Sequence, residues 1–482
     1  MEQAKKKIFF IGAEVMPFAA TGGLGDVMGS LPASLAAEGC DVRVVLPLYE
    51  MVSDDWRKKM KQVAVYDVNL AWRKLYCGAF ELVHKGVIYY FLDNEYYYKR
   101  EGLYAYYDDA ERFAFYSKAI VDILPRLGWT PDVIHCNDWQ TALVPIYLRE
   151  KHGAPWDGVK TMFTIHNVEY QGRFPADTMG YVFGLPDSLY EDGLLRFDGE
   201  VNLMKGALYK ADCVTTVSPN YAQELRSPAG AFGLHNIIEE ISYKLRGIIN
   251  GIDYDLWDPS RDSLLAAPYD STDVLEKKRA NKLALQEELG LEQDENKLVI
   301  GLISRLTNQK GLDLVNAILP QLIDGNTQVV VLGTGDPYYE DSFRYYENAY
   351  KGSVCSSIMY NEGRAHHIYA GADALLVPSQ FEPCGLTQLI AMHYGTIPIV
   401  RETGGLKDTV QPYNEFTDEG NGFTFDRYDA GLLLDAINYA KTVYFTDRPR
   451  WDEMVLRDMA KDVSWENSAR QYRDLYLELT AW

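Results

Sequence analysis

Residues 297–313 read KLVIGLISRLTNQKGLD, and the fold is decided here. The first eight are almost continuously apolar, without the alternation of a half-exposed strand. A strand of that kind is buried on both faces. The polar RLTNQK that follows leads into an apolar periodicity that predicts a helix over 310–324. A buried strand feeding a helix is one unit of a parallel sheet covered on both sides. The unit recurs downstream, with strands TQVVVLGTG (327–335), SSIMYN (356–361), ALLVPS (374–379) and TIPIVRET (396–403) and helices at 338–350, 365–372 and 384–394. It also recurs upstream, in KIFFIGAE (7–14), DVRVVLPLY (41–49), DVIHCND (132–138), VKTMFTIHN (159–167), DCVTTVSP (212–219) and LRGIINGID (245–253), with helices opening at Asp26 and over 140–152. Residues 65–94 carry strand-like runs with few helix formers and predict an antiparallel hairpin insertion. The fold class is therefore α/β, with two doubly wound units. The turn-rich WDPSRDS (257–263) is the expected hinge between them.

A chain of 482 residues is too long for one core, which agrees with two domains. Its 69 acidic residues against 47 basic give a net charge of −22, which disfavours nucleic acid and anionic membranes as partners. A neutral polymer is indifferent to that charge, whereas an anionic ligand needs locally concentrated cations. The opening MEQAKKKIFFIGAEVMPF has too short an apolar run for a secretory leader and reads as a first buried strand. Six scattered cysteines without CxxC spacing fit reduced thiols in a cytoplasmic protein, with neither a disulfide framework nor a zinc site. The 35 tyrosines cluster in YYFLDNEYYY (89–98) and YAYYDDAERFAFY (104–116). Packing is the favoured reading of these clusters, and stacking on sugars is the alternative.

In an open α/β sheet, ligands sit at the carboxyl ends of the strands, and the motifs fall there. ATGGLGDV (20–27) follows the first strand, and its glycines let backbone N–H groups approach an anion. It is neither a P-loop nor GxGxxG, and a tight strand–helix turn explains it equally well. In SRLTNQKGLD (304–313), Arg305 closes a strand and Lys310 opens a helix. Two cations five residues apart on one loop suit a diphosphate. Cations at a helix start are unfavourable unless an anion joins them. SQFEPCGLTQ (379–388) places Glu382 at a strand end, with Cys384 to Thr387 beginning a helix. TGGLKD (403–408) is a further glycine turn, and His166 and Asp138 occupy two more strand ends.

These blocks occur in a recognisable order: ATGGLGDV, HCNDW (135–139), TIHNVEYQG (164–172), NGID (250–253), SRLTNQKGLD, GTGD (333–336), SQFEPCGLTQ and TGGLKDTV (403–410), then the tail VSWENSARQYRDLYLEL (463–479). The chain resembles the bacterial glycogen synthase and plant starch synthase family from Met16 to Val410 and again in the tail. The resemblance implies a GT-B fold, with two Rossmann-like domains facing a cleft and a last helix returning to the first domain. The expected division is 1–256 plus 464–482, and 257–463. It further implies retaining transfer of glucose from ADP-glucose, or UDP-glucose in some members, to the non-reducing end of an α-1,4-glucan such as glycogen. No metal and no cofactor are expected.

Carried over residue by residue, the resemblance gives Arg305 and Lys310 the leaving diphosphate. It gives Glu382 a glucose hydroxyl and the charge developing at the anomeric carbon. His166 meets the glucose 6-OH through its backbone, Asp138 lies near the reacting centre, and Asn250 contacts the sugar. The backbone N–H groups of Gly23, Leu386 and Thr387 meet the phosphates, Gly22, Cys384 and Gly385 belong to the same donor-binding turns, and Tyr360 covers the base. Three positions depart from the family pattern. Ala20 stands where lysine is usual, Gln380 where arginine is usual, and Asn137 where histidine is common. Ala20 removes a cation from the donor site, which leaves open a glucan-binding or regulatory homologue with altered donor use. Relatives such as sucrose-type synthases often carry a second Glu eight residues after the first, and here that position is Ile390. Homo-oligomerisation is not decided by these residues.

Overall fold

The computed structural model describes residues 5–150 and 158–481. The chain divides into two compact units, Met1–Asn250 with Trp465–Trp482, and Gly251–Ser464. In the first unit the strands are β1 (Lys7–Ile11), β2 (Asp41–Pro47), β3 (Lys61–Leu70), β4 (Arg73–His84), β5 (Val87–Asp93), β6 (Val133–Asn137) and β7 (Lys160–Ile165), followed by the short β8 (Arg173–Phe174), β9 (Arg196–Phe197) and β10 (Glu200–Asn202), and then β11 (Cys213–Thr216) and β12 (Leu245–Gly247). Nine form one sheet in the order β12-β11-β7-β6-β1-β2-β5-β4-β3, and β8-β10-β9 form a small one. The strands from β12 to β5 run parallel. The predicted hairpin insertion is instead a three-stranded meander over residues 61–93. Its last strand pairs parallel with β2, so it extends the main sheet.

The second unit holds β13 (Leu298–Ile303), β14 (Thr327–Leu332), β15 (Val354–Ser357), β16 (Ala374–Val377), β17 (Ile397–Arg401) and β18 (Phe423–Phe425), all parallel, in the order β15-β14-β13-β16-β17-β18. Every residue of β14 is buried, as its unbroken TQVVVL pattern requires. In each unit the chain starts in mid-sheet and later strands go to either side. The order therefore reverses beside β1 in the first unit and beside β13 in the second. The crevice at such a reversal is where doubly wound sheets hold ligands.

The last helix, Trp465–Leu479, belongs to the first unit. Trp465, Ala469, Tyr472 and Tyr476 recur on one face and are buried, so helical spacing alone makes it a docking stripe. Tyr476 Oη lies 2.7 Å from the buried His135 Nδ1 on β6. Arg473 pairs with Glu38 just after the helix Gly23–Ala37.

WDPSRDS does not mark the boundary. The units divide at Asn250/Gly251 and Ser464/Trp465, against 256/257 and 463/464 expected. Residues 257–263 are fastened into the second unit. Trp257 stacks on His366 at 4.1 Å, and the buried Asp262 accepts from Tyr394 Oη at 2.7 Å. The turn formers close tight Asp-led turns: Ser260 N–H and Oγ donate to Asp258, and Leu264 N–H to Asp262. Helix starts shift as well. Lys310 ends a short turn, Asn308–Lys310, and the helix is Leu312–Leu322. The helix predicted to begin at Cys384 is Thr387–His393, and that predicted over 140–152 is a turn followed by Leu143–Glu150, its end lying outside the described residues. Packing accounts for most of the tyrosine clusters. Tyr89, Tyr90, Tyr97, Tyr98 and Tyr116 are buried, and Tyr116 Oη lies within hydrogen-bond reach of the carbonyls of Gly12 and Val45. All six cysteines are buried, and none is in a disulfide. No helix among the described residues is long and apolar enough to cross a membrane.

Candidate active site

The loops after β13 and β16 meet at the sheet reversal of the second unit. Ser304, Arg305 and Lys310 come from the first loop, Ser379 and Thr387 from the second, and with Leu302 and Pro378 they line a cavity of about 190 Å³. Lys310 Nζ donates to Glu382 Oε2 at 2.6 Å, and Ser379 Oγ donates to the same oxygen at 2.9 Å. Both charged side chains are largely buried, at 18% and 11% exposure. Arg305 is exposed, and its guanidinium has no ion-pair partner among the described residues. The first loop thus carries one cation already married to a carboxylate and one still available to an anion.

The glycine motifs hold these loops in place through close backbone contact. Gly404 has φ +44, and a Cβ there would lie 1.9 Å from the Glu382 carbonyl oxygen. A Cβ on Gly405 would lie 2.1 Å from the Cys384 carbonyl oxygen, and Gly405 N–H donates to Glu382 O at 3.2 Å. TGGLKD is therefore the bed on which FEPCG rests. GTGD does the same for SRLT: Leu306 N–H donates to Thr334 O at 2.8 Å, and Asp336 N–H to Leu306 O at 2.7 Å. Arg401, which motif reading missed, closes β17 and donates to the carbonyls of Ser379 and Gln380. Gln380 is tied through its backbone, its N–H donating to Gln309 O at 2.8 Å. Gly385 takes φ +77, Cys384 is buried, and the helix opening at Thr387 has no side-chain cap at Leu386. Tyr360 is 87% exposed and immediately precedes the Asn361 N-cap of the helix Glu362–Gly371.

In the first unit the loops after β1, β6 and β7 converge on Asp138 and His166. Asp138 sits at φ +57, a strained position for a non-glycine residue. Its Oδ1 accepts from His166 N–H at 2.8 Å. Burial pushes its carboxyl up to about 7, and the Glu14 charge adds to this, against the N–H groups of His166 and Asn167. Burial also lowers His166 to about 3, so its imidazole is neutral. Asn137 fixes the tautomer. Its Nδ2 donates to Ile11 O at 3.0 Å, which turns its Oδ1 to His166 Nε2 at 2.8 Å, so the ring proton is on Nε2. The departure at 137 is thereby accommodated. Asn250 is buried, with its Oδ1 lacking a hydrogen-bond donor among the described residues.

The glycine turn after β1 is fastened by a carboxylate. Buried Glu14 accepts from Thr21 N–H at 2.6 Å, Thr21 Oγ1 at 3.0 Å, Gly22 N–H at 3.0 Å and Tyr104 Oη at 2.8 Å. A carboxylate of the protein thus holds the Gly22 N–H, next to the Gly23 N–H expected to meet phosphate. Gly23 begins the helix Gly23–Ala37, and a Cβ there would touch nothing within 4 Å. Ala20 packs on that helix, its Cβ 2.3 Å from where a Gly25 Cβ would stand. Glu14 carried no motif signal; it reads only as the residue that ends an apolar run. Among the described residues no cluster of three His, Cys, Asp or Glu could hold a metal.

Comparison with known proteins agrees with this arrangement. A family model described as the starch synthase catalytic domain matches residues 7–240, and one for glycosyl transferases group 1 matches 286–452. A glycogen synthase of Clostridium botulinum (strain Alaska E43 / Type E3) is 46% identical over 478 residues, covering 98% of this chain and 99% of that one. The chain belongs to the glycogen and starch synthase family. Glycogen synthase of Caldicellulosiruptor saccharolyticus is 45% identical over 98% of this chain and 99% of its own length. The catalytic domain of starch synthase IV from Arabidopsis thaliana, solved with ADP and acarbose, superposes with a TM-score of 0.90 at 35% identity, covering 99% of this chain and 100% of that one. Sucrose-phosphate synthase from Thermosynechococcus elongatus, at 19% identity and a TM-score of 0.62 over 99% of this chain and 100% of that one, shares the fold. This member of the glycogen and starch synthase family is thus a GT-B hexosyltransferase, and Arg305, Lys310, Glu382, Asp138 and His166 lie on the loops that follow β13, β16, β6 and β7.

Proposed function

We propose that this chain transfers glucose from ADP-glucose to the non-reducing end of an α-1,4-glucan, with retention of configuration, and needs no metal or cofactor. The observation that carries the reading is the Arg305–Lys310–Glu382 cluster against the cavity at the β13/β16 reversal. A leaving nucleoside diphosphate gains negative charge as the glycosidic bond breaks. Fixed cations aimed at that charge lower the barrier without reorganising. Arg305 supplies the uncommitted charge. Lys310 supplies a second and also fixes Glu382, whose other contact, Ser379, leaves it oriented for a sugar hydroxyl. The N–H groups at Leu386 and Thr387 add donors to the phosphates, and Tyr360 is assigned to the base. In the first unit, Asp138 holds the His166 backbone, which is assigned to the glucose 6-OH, and the unpartnered Asn250 Oδ1 is assigned to a sugar hydroxyl. The binding of ADP and acarbose by the starch synthase IV catalytic domain supports an ADP-sugar donor and a glucan-like acceptor.

The experiment is single-turnover transfer of labelled glucose from ADP-glucose to glycogen in the presence of EDTA, with UDP-glucose in parallel. Labelled glycogen whose new linkage is cleaved by an α-1,4-specific exoglucosidase is the expected result. Glycogen binding without transfer from either donor would overturn it in favour of a binding homologue.

A further inference from the structure

We infer that Trp72 and Tyr181 form a surface platform for a segment of α-1,4-glucan chain. Trp72 sits at the turn between β3 and β4, directly after Ala71 at φ +52. Tyr181 lies on the single helical turn Met179–Phe183. The two rings are 68% and 61% exposed, 5.9 Å apart between centroids and inclined at 43°. Single exposed aromatics need no explanation. This pair is built. The Arg73 guanidinium braces it, 4.5 Å from the Trp72 ring and 5.1 Å from the Tyr181 ring, with its own side chain only 11% exposed. Arg73 donates to Tyr181 O at 2.8 Å and pairs with Glu111 at 2.7 Å. The two loops also touch backbone to backbone: Gly184 has φ +63, and a Cβ there would lie 2.8 Å from Ala71 N. Two rings from distant parts of the sequence are thus held at a fixed angle on a buried, neutralised cation. Pre-organised rings of this kind lose little freedom when something stacks on them.

The chemistry of the pair selects its occupant. The Arg73 guanidinium is already balanced by Glu111, so the platform offers no charge to an anion, and the chain's net charge of −22 repels polyanions. What it offers is two ring faces rich in π electron density, which attract the polarised C–H faces of a neutral sugar. The spacing is of the order of one sugar residue, so adjacent glucosyl units can each cover one ring. The inclination suits an α-linked chain, which curves from residue to residue, and not a flat β-1,4-linked one. Holding a long acceptor here would raise its local concentration without contributing to the chemical step. This inference rests on the proposed glucan acceptor.

The test uses the full chain and the variants Trp72→Ala, Tyr181→Ala and Tyr181→Phe, all at exposed positions. Mobility is compared in gels with and without glycogen, affinity is measured for maltoheptaose and cellohexaose, and kinetics are run with glycogen and with maltotriose. Each alanine variant is expected to weaken maltoheptaose binding by roughly fivefold, the size of one lost aromatic contact, and to raise KM for glycogen comparably. The Phe variant keeps the ring and should match the parent. Maltotriose turnover should not move, and cellohexaose should not bind. Unchanged retardation by glycogen in both alanine variants, equal binding of cellohexaose, or a parallel loss on maltotriose would each overturn the platform. A parent chain that transfers no glucose would defeat the proposed activity instead, while retardation in glycogen gels would still decide the platform.

Discussion

Replacing Lys310 by Met tests the centre of the site, because one ammonium is asked to do two things. Methionine keeps the apolar stem and removes the charge. In the resting protein the ammonium faces Glu382 at 2.6 Å, with the two side chains 18% and 11% exposed. Unit charges about 4 Å apart attract by about 4 kcal/mol at an effective dielectric near 20. Desolvation and residual exposure to water take back more than half, leaving about 1–2 kcal/mol of stability. In the transition state the same ammonium must meet the departing diphosphate, and losing such a donor costs about 2.7–4 kcal/mol, or about 10²–10³ in kcat. Denaturation curves and ADP-glucose turnover for Lys310→Met, Glu382→Gln and the double variant form a cycle. Stability losses should be less than additive, because each single change breaks the same pair. Turnover of Lys310→Met within a few-fold of the parent would refute the diphosphate assignment. Additive stability losses would refute the pairing.

Gly404→Ala places a Cβ 1.9 Å from the Glu382 carbonyl oxygen at φ +44, so it should cost about 2–4 kcal/mol in chemical denaturation and reduce turnover by displacing the 382 loop. Gly363→Ala, whose Cβ would come no nearer than 3.6 Å to Asn361 Oδ1, is the benign control. Asp138 has a folded-state value of about 7 against 3.8 for the free group, so ionisation penalises the folded state. Relative to the parent, Asp138→Asn should therefore melt progressively higher as pH rises from 3.8 to about 7, with a constant difference above that range. A melting difference independent of pH would rule out a raised Asp138.

The strands of this protein are legible one by one because unbroken apolar runs such as KLVIGLIS and TQVVVL report burial on both faces, a local property. The loops that carry Arg305, Lys310, Glu382, Asp138 and His166 after their strands follow from the same reading, whereas the return of the last helix to the first domain comes from the family resemblance. Sequence pattern carries no information on which strand lies beside which. Only the tertiary structure sets β6 and β2 on either side of β1, and β16 and β14 on either side of β13, and so locates the two reversals. The partnerships that shape the site are equally non-local. Lys310 and Glu382 are 72 residues apart, Glu14 and Tyr104 are 90 apart, and His135 and Tyr476 are 341 apart. The WDPSRDS turn formers likewise read as a hinge by composition, yet Trp257 and Asp262 are fastened by His366 and Tyr394. Local propensity says that the chain turns there; contacts from a hundred residues away decide whether it can move.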